Sequence, residues 1–230
     1  MREKQTLARI EILANVPSAT LAQLEHSCTW GRFEPGAPII GYQDTGDDVF
    51  FIVEGYVRVT IYSLEGKAVS FNELGPGEMF GEYPAIDGGG RSAGVEAHTE
   101  CLIASMSSSA FLSLLRSEPL VAIALLRKLV ETVRRLTTRV YEFSTFAVNN
   151  RIQAELLRLA RVSNPEAHVV KISPSPTHFE IASRISTHRE AVTRELNRLA
   201  KLGIVERCDG ALVVKDIERL AKLVQEASGE

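Results

Sequence analysis

At 230 residues the chain can hold one large or two modest domains, each long enough to bury a core. Hydrophobic residues at 45% and charged residues at 24% are ordinary for a globular fold, and the apolar runs, such as 49–53, are too short to span a bilayer. The formal charge of −3 hides an asymmetry: residues 1–150 carry 13 Lys+Arg against 18 Asp+Glu, whereas 151–230 carry 13 against 11, an excess too small to specify nucleic acid by itself.

The charged start, Met1-Arg2-Glu3-Lys4, is followed by no apolar block of signal-peptide type. Cys28, Cys101 and Cys208 lie far apart without a C-x-x-C pair, which suits a reducing cytoplasm. Ser18 is the expected cap of an opening helix whose Leu21, Leu24 and Cys28 share a face. From about Phe33 to Met106 short β-rich runs are punctuated by Gly and Pro. Val57, Val59 and Ile61 alternate with Arg58, Thr60 and Tyr62, and Val95, Ala97, Thr99, Cys101 and Ile103 alternate with Glu96, His98 and Glu100. Many short strands at such intervals predict an antiparallel sandwich or a jelly-roll barrel.

Helical periodicity follows. Ser117-Glu118-Pro119 reads as a helix start, with proline tolerated in the first turn. Leu126, Leu129, Val133, Leu136, Val140, Phe143 and Ala147 then repeat at alternating steps of three and four, the seam of a two-helix coiled coil. Beyond it, a helix over 151–161 leads through Ser173-Pro174-Ser175-Pro176 into two short helices. A hairpin closes the pattern, with 204–207 and 211–214 flanking Cys208-Asp209-Gly210. The expected class is α+β: a jelly roll over 1–118, a dimerisation helix over 119–148, and a winged helix-turn-helix over 149–230.

In that last part Ile181, Ala182 and Ile185 face inward from the first short helix, and Val192, Leu196 and Leu199 from the second. Ser186 or Thr187 is the expected cap of the second helix. His188, Arg189, Glu190, Thr193, Arg194 and Arg198 are left to solvent near its start. A helix fits the major groove, Arg forks onto guanine, and Glu accepts from the cytosine amino group.

A second informative stretch runs from Phe80-Gly81-Glu82-Tyr83-Pro84 to Arg91-Ser92-Ala93. Gly81 allows backbone to approach a ligand closely, and Pro84 fits the first turn of a short helix. Arg91 offers a planar fork for phosphate oxygens and Ser92 a further donor. Glu82, acceptor-only when ionised, suits a sugar hydroxyl. Read from the residues alone, this is equally a surface Gly-rich loop with an Arg-Ser pair.

Both stretches resemble one family. The run from Ser186 to Arg194 is similar to the recognition helix of the cAMP receptor protein/FNR superfamily, [S/T]-x-R-E-x-V-x-R. The G-E-x(8)-R-[S/T]-A pattern of Gly81, Glu82, Arg91, Ser92 and Ala93 resembles the phosphate-binding cassette of its cAMP-receptor branch and of cyclic-nucleotide-dependent kinases. The resemblance runs from about Leu13 to Val214. It implies that Arg189 and Arg194 bond guanine, that Glu190 bonds cytosine, and that Thr177 touches phosphate, with His188 replacing a small hydroxyl residue that does likewise; Thr187, Thr193 and Arg198 complete the DNA-facing set. It implies cAMP as ligand at Phe80, Gly81, Glu82, Tyr83, Arg91, Ser92 and Ala93, with cGMP a second candidate because Ser92 is able to meet a guanine amino group. An ungapped alignment back from Arg151 puts Thr137 where a hydroxyl of the partner chain touches adenine, with Leu136 where a Thr precedes it and Thr138 as substitute.

The partners so implied are promoter DNA with palindromic half-sites, a second copy of the chain, and RNA polymerase, with no membrane. No metal, redox cluster or catalysis is expected: only His26 and His98 precede residue 150, without H-x-H, and three scattered cysteines cannot supply a four-cysteine cluster. The alternative is a regulator of the same architecture whose cassette is vestigial and which is constitutive or gated by haem or redox state.

Overall fold

Two four-stranded antiparallel sheets frame the first of the two units into which the chain divides, Met1–Thr132 and Val133–Glu230. The computed structural model describes residues 5–41, 44–62, 68–164, 166–208 and 210–228. The first unit contains a 3-10 turn (Glu11–Leu13), α1 (Ser18–Ser27), β1 (Thr29–Phe33), β2 (Pro38–Ile40), β3 (Val49–Glu54), β4 (Val57–Tyr62), β5 (Ala68–Leu74) and β6 (Met79–Phe80). There follow α2 (Glu82–Asp87), β7 (Gly94–Ala97), β8 (Cys101–Met106), α3 (Ser108–Ser117) and α4 (Pro119–Thr145), the helix within which the two units divide. The sheets are ordered β1-β8-β3-β6 and β2-β7-β4-β5, the jelly-roll arrangement the turn spacing predicts.

Ile52, Val57, Phe80, Val95, Ala97 and Ile103 from both sheets pack in one cluster. A second cluster joins Val49, Phe51, Ala104 and Met106 to Leu7, Ile10, Phe111, Leu114, Val121 and Leu125, from the chain's start and its helices. Strands β3 and β8 are therefore buried on both faces, which is why 49–53 is continuously apolar instead of alternating.

Three local expectations are corrected. Ser18 does not cap α1: Pro17 holds the cap position, with no side-chain hydrogen bond. In β4, Thr60 is buried and Ile61 is 43% exposed, with a register shift between Ile61 and Tyr62 against β5. The 95–103 run is two strands in different sheets. The chain turns between them where the amides of His98 and Thr99 donate to the Tyr56 carbonyl at 2.8 and 3.2 Å.

Pro119 opens α4 as its first residue. Along this helix Leu126, Val133, Leu136, Val140 and Phe143 are 40–64% exposed, an apolar stripe at coiled-coil spacing. Ala147 falls outside it, as the residue preceding α5. Among the described residues no single helix is long and apolar enough to cross a membrane.

The second unit continues with α5 (Val148–Ser163), β9 (Val170–Ile172), α6 (His178–Arg184), α7 (Arg189–Lys201), β10 (Val205–Cys208), β11 (Ala211–Val214) and α8 (Ile217–Ser228). Helix α5 begins three residues before the expected 151. The hairpin gains a third strand in the order β10-β11-β9. Asp209 of its turn lies outside the described residues. All six inward residues named for the two short helices are buried, in a core that includes Leu220 of α8.

Candidate functional site

The cassette residues gather at the end of β6, on α2 and in the loop before β7. Gly81 precedes α2 at φ 80°, a left-handed conformation that favours glycine, and a Cβ there would stand 2.7 Å from Arg91 Nη1. The absent side chain is what lets the guanidinium lie against backbone. Arg91 is 6% exposed: Nη1 donates to the Gly81 carbonyl and Nη2 to the Asp48 carbonyl, both at 2.9 Å. Its guanidinium stands 5.6 Å from the Phe50 ring centroid, and Phe50 stacks on Phe80 at 5.0 Å. Nε is buried without a hydrogen-bond partner, an orphaned donor that fits an anionic ligand. Burial lowers the Arg91 pKa, opposed by Asp48, Asp47, Asp44 and Glu82.

Burial raises the Glu82 carboxyl above its ordinary range, opposed by its own backbone amide, Lys128 and Arg91. Tyr83 and Ser92 are exposed, Ala93 is half-buried, and the Phe80 ring belongs to the core. Thr137 and Thr138 sit on α4 in the second unit, each donating its hydroxyl to the carbonyl four residues back, at 3.0 and 3.1 Å. Burial pushes the Cys28 thiol up to about 11 and also raises Cys101, so both stay protonated.

The reader residues divide into two groups. Arg189, Glu190 and Arg194 are exposed on the first two turns of α7. Arg189 Nε donates to Glu190 Oε1 at 3.0 Å, and the Glu190 carboxyl is held below the usual range by its own backbone amide and by Arg189. Arg194 makes no hydrogen bond or ion pair among the described residues. Thr177, Thr193 and Arg198 are engaged internally. Thr177 caps α6 in a reciprocal capping box with Glu180. Thr193 donates to the Arg189 carbonyl at 2.9 Å, which uses its proton, so the 2.6 Å contact from His178 Nδ1 is a donation by the ring. Arg198 forks onto Glu195 at 2.9 and 2.7 Å.

His188, exposed, holds the cap position of α7 without a side-chain bond, which corrects the expectation of Ser186 or Thr187 there. Ser186 instead makes the turn at φ 50°, and the half-buried Thr187 donates its amide to the Ala182 carbonyl at 2.9 Å. Sequence reasoning missed Asp48 and Phe50, which hold Arg91, and the buried carboxylates Glu155 and Glu195. The signal for the last two was weak: charged residues on helices otherwise read as solvated.

Residues 30–118 match the family described as cyclic nucleotide-binding domain, and residues 150–223 match the Crp-like helix-turn-helix domain. Over 191 residues the chain is 30% identical to the cyclic AMP receptor protein of Thermus thermophilus, covering 83% of this chain and 86% of that one. This chain belongs to the cAMP receptor protein/FNR family. Another member, the CRP-like cAMP-activated global transcriptional regulator of Mycobacterium tuberculosis, is 27% identical over 219 residues, 95% of this chain and 98% of that one. Among solved structures, the Thermus thermophilus catabolite activator protein superposes with a TM-score of 0.54 at 26% identity, covering 94% of this chain and 99% of that one. As a family member the chain is a transcription regulator with a cyclic nucleotide-binding domain and a helix-turn-helix DNA-binding domain, not an enzyme.

Proposed function

We propose that this regulator is a cytoplasmic homodimer that binds palindromic promoter DNA when cAMP occupies the cassette. The observation that carries the reading is Arg91, nine-tenths buried beside the left-handed Gly81 with Nε left without a partner. A cyclic phosphodiester attracts the guanidinium more strongly than the neutral carbonyls that hold it, because it carries a full negative charge in a partly desolvated site. Gly81, Glu82, Tyr83, Ser92 and Ala93 frame the sugar and phosphate, Glu82 accepts from the ribose hydroxyl, Phe80 supports the floor of the site, and Thr137 and Thr138 serve the purine. The exposed stripe on α4 is the seam between two copies, so 1–118 senses, 119–148 dimerises and 149–230 reads.

Arg189 and Arg194 bond guanine and Glu190 bonds cytosine, which gives G·C-rich half-sites one helical turn apart. Thr187 and His188 at the start of α7, with Thr177, Thr193 and Arg198, border the DNA backbone. RNA polymerase is the further partner of a promoter-bound regulator. If the ligand binds one arrangement of α4 better than another, it shifts the population toward it. Calorimetry with cAMP and cGMP, paired with DNA-shift titration with and without each, tests the reading. Tight cAMP binding with DNA affinity raised at least tenfold is the expected result; equal DNA affinity with and without nucleotide overturns ligand gating.

The second reading, a vestigial cassette in a regulator gated otherwise, draws on a specific observation. Both terminal nitrogens of Arg91 already have carbonyl partners, and Asp44, Asp47 and Asp48 crowd it with negative charge. Tight operator binding by a protein that takes up neither nucleotide favours that reading.

A further inference from the structure

Two carboxylates of the second unit are buried, and neither belongs to the cassette or to the reading face: Glu155 on α5 is 1% exposed and Glu195 on α7 2%. A buried carboxylate persists only where cations and hydrogen bonds compensate it. Around Glu155 the compensation comes from three helices. Arg139 of α4 donates through Nη2 to Oε2 at 3.1 Å, Arg158 of α5 donates to the same oxygen, and Arg184 at the end of α6 stands 3.7 Å from Oε1. Arg139 also donates through Nη1 to the Arg184 carbonyl at 2.6 Å.

The contacts continue along α4. Arg158 Nη2 meets both oxygens of Glu142 at 2.7 and 3.0 Å. Beside Glu142, the Phe143 ring lies 5.1 Å from the Arg151 guanidinium, whose Nη1 donates to the Ile185 carbonyl at 3.2 Å. The last turns of α4 thus reach the carbonyls of Arg184 and Ile185, immediately before the left-handed Ser186 and the start of α7. The break between α4 and α5 is closed as well: Phe146 is 9% exposed, packs edge-on to Tyr141 at 6.0 Å, and donates its amide to the Glu142 carbonyl at 2.9 Å.

We propose that Glu155 and Arg139 are positioning residues for DNA reading, locking the last turns of α4, helix α5 and the α6–α7 turn into one rigid body. The seam helix then dictates the direction of the recognition helix, and Phe146-Ala147 is not a free joint. Arginine is required at 139 because one planar fork must reach a carboxylate and a carbonyl together, which a lysine ammonium on its single atom does not reproduce. The consequence for DNA rests on the reading that two copies engage paired half-sites; the lock itself does not.

The test uses the full-length protein in two measurements. In hydrogen exchange on the wild type, amides 140–145 should be protected to within tenfold of the α5 core at 152–157. In Arg139→Met they should exchange at least tenfold faster while α5 keeps its protection. DNA-shift titration with cAMP then uses operators whose half-site spacing differs by one or two base pairs. Arg139→Met and Arg139→Lys should each lose at least fivefold of the wild type's preference for its best spacing, a readout that a merely stabilising contact would not move. Wild-type amides 140–145 exchanging like a frayed helix end, or an unchanged spacing preference in a folded Arg139 variant, overturns the proposal. Should Arg139→Met fail to fold, Arg139→Lys and the wild-type exchange decide. A wild type that binds single and paired half-sites alike refutes the paired reading alone, and the exchange pattern still rules on the lock.

Discussion

The cassette and the reader present their key arginines in opposite ways. Arg91 is 6% exposed, laid against the Phe50 ring and bonded to two carbonyls, whereas Arg194 stands in solvent without a partner among the described residues. A ligand entering the cassette must exchange hydrogen bonds already made inside the protein, so its binding perturbs the structure around it. On the proposed reading Arg194 exchanges only water when it meets a base, so the reader's output depends on how α7 is aimed. The first arrangement suits sensing and the second suits reading.

The largest expected effect separates the two most sharply. On the proposed reading Arg91→Ala removes two charge-assisted bonds to phosphate, about 3–6 kcal/mol, so calorimetry should find cAMP affinity down by more than about a hundredfold. Because the Gly81 and Asp48 carbonyls lose their donor, the first unit should also melt earlier. Retained affinity would break the comparison at its sensing end.

Next in size is a contrast within α7. Arg194→Ala should cost about 1–3 kcal/mol of operator affinity and relax preference at one base pair, measured by competition with single-base operator variants. Arg198→Ala should leave base preference unchanged and lower thermal stability, since its fork serves the buried Glu195. Equal changes in base preference would mean that Arg198 leaves Glu195 to read DNA.

Ser186→Gly should stabilise the second unit by about 1 kcal/mol in urea unfolding, because a side chain at φ 50° carries left-handed strain that glycine escapes. The smallest effect concerns Glu82. Its folded pKa is raised by burial, so the protonated form favours folding: that stability is full below the unfolded-state pKa and is lost as pH rises through the folded one. Glu82→Gln should flatten this slope in melting curves and raise the melting temperature near neutrality; on the proposed reading it also weakens cAMP binding, because a neutral amide oxygen replaces the charged acceptor. A wild-type melting temperature that rises over the same interval would contradict the assigned direction.

Much of this was legible because the signals are local. Gly81 to Ala93 lie in one short stretch, and the turn residues and the 181–199 periodicity mark their elements directly. What stayed hidden depends on contacts distant in the chain. Asp48 and Phe50 reach Arg91 from β3 and the loop before it, and the carboxylate of Glu155 is neutralised by Arg139 and Arg184 from two other helices. Strand β9 is three residues long and exists by pairing with β11, so no period announces it. Thr193 and Arg198 occupy the exposed side of α7, as the pattern says, but spend their polar atoms on His178, Arg189 and Glu195. Position on a helix is encoded locally; the partner of each polar atom is not.

The contact between His178 and Thr193 carries a consequence for acid tolerance. Burial, and then Arg207, lower the His178 pKa, so the imidazole stays uncharged further into acid than a free histidine does. Its Nδ1 hydrogen is present in both the neutral tautomer that makes the contact and the imidazolium, so this strut between α6 and α7 outlasts a proton's arrival. Mild acidification therefore leaves the bracing of the recognition helix in place.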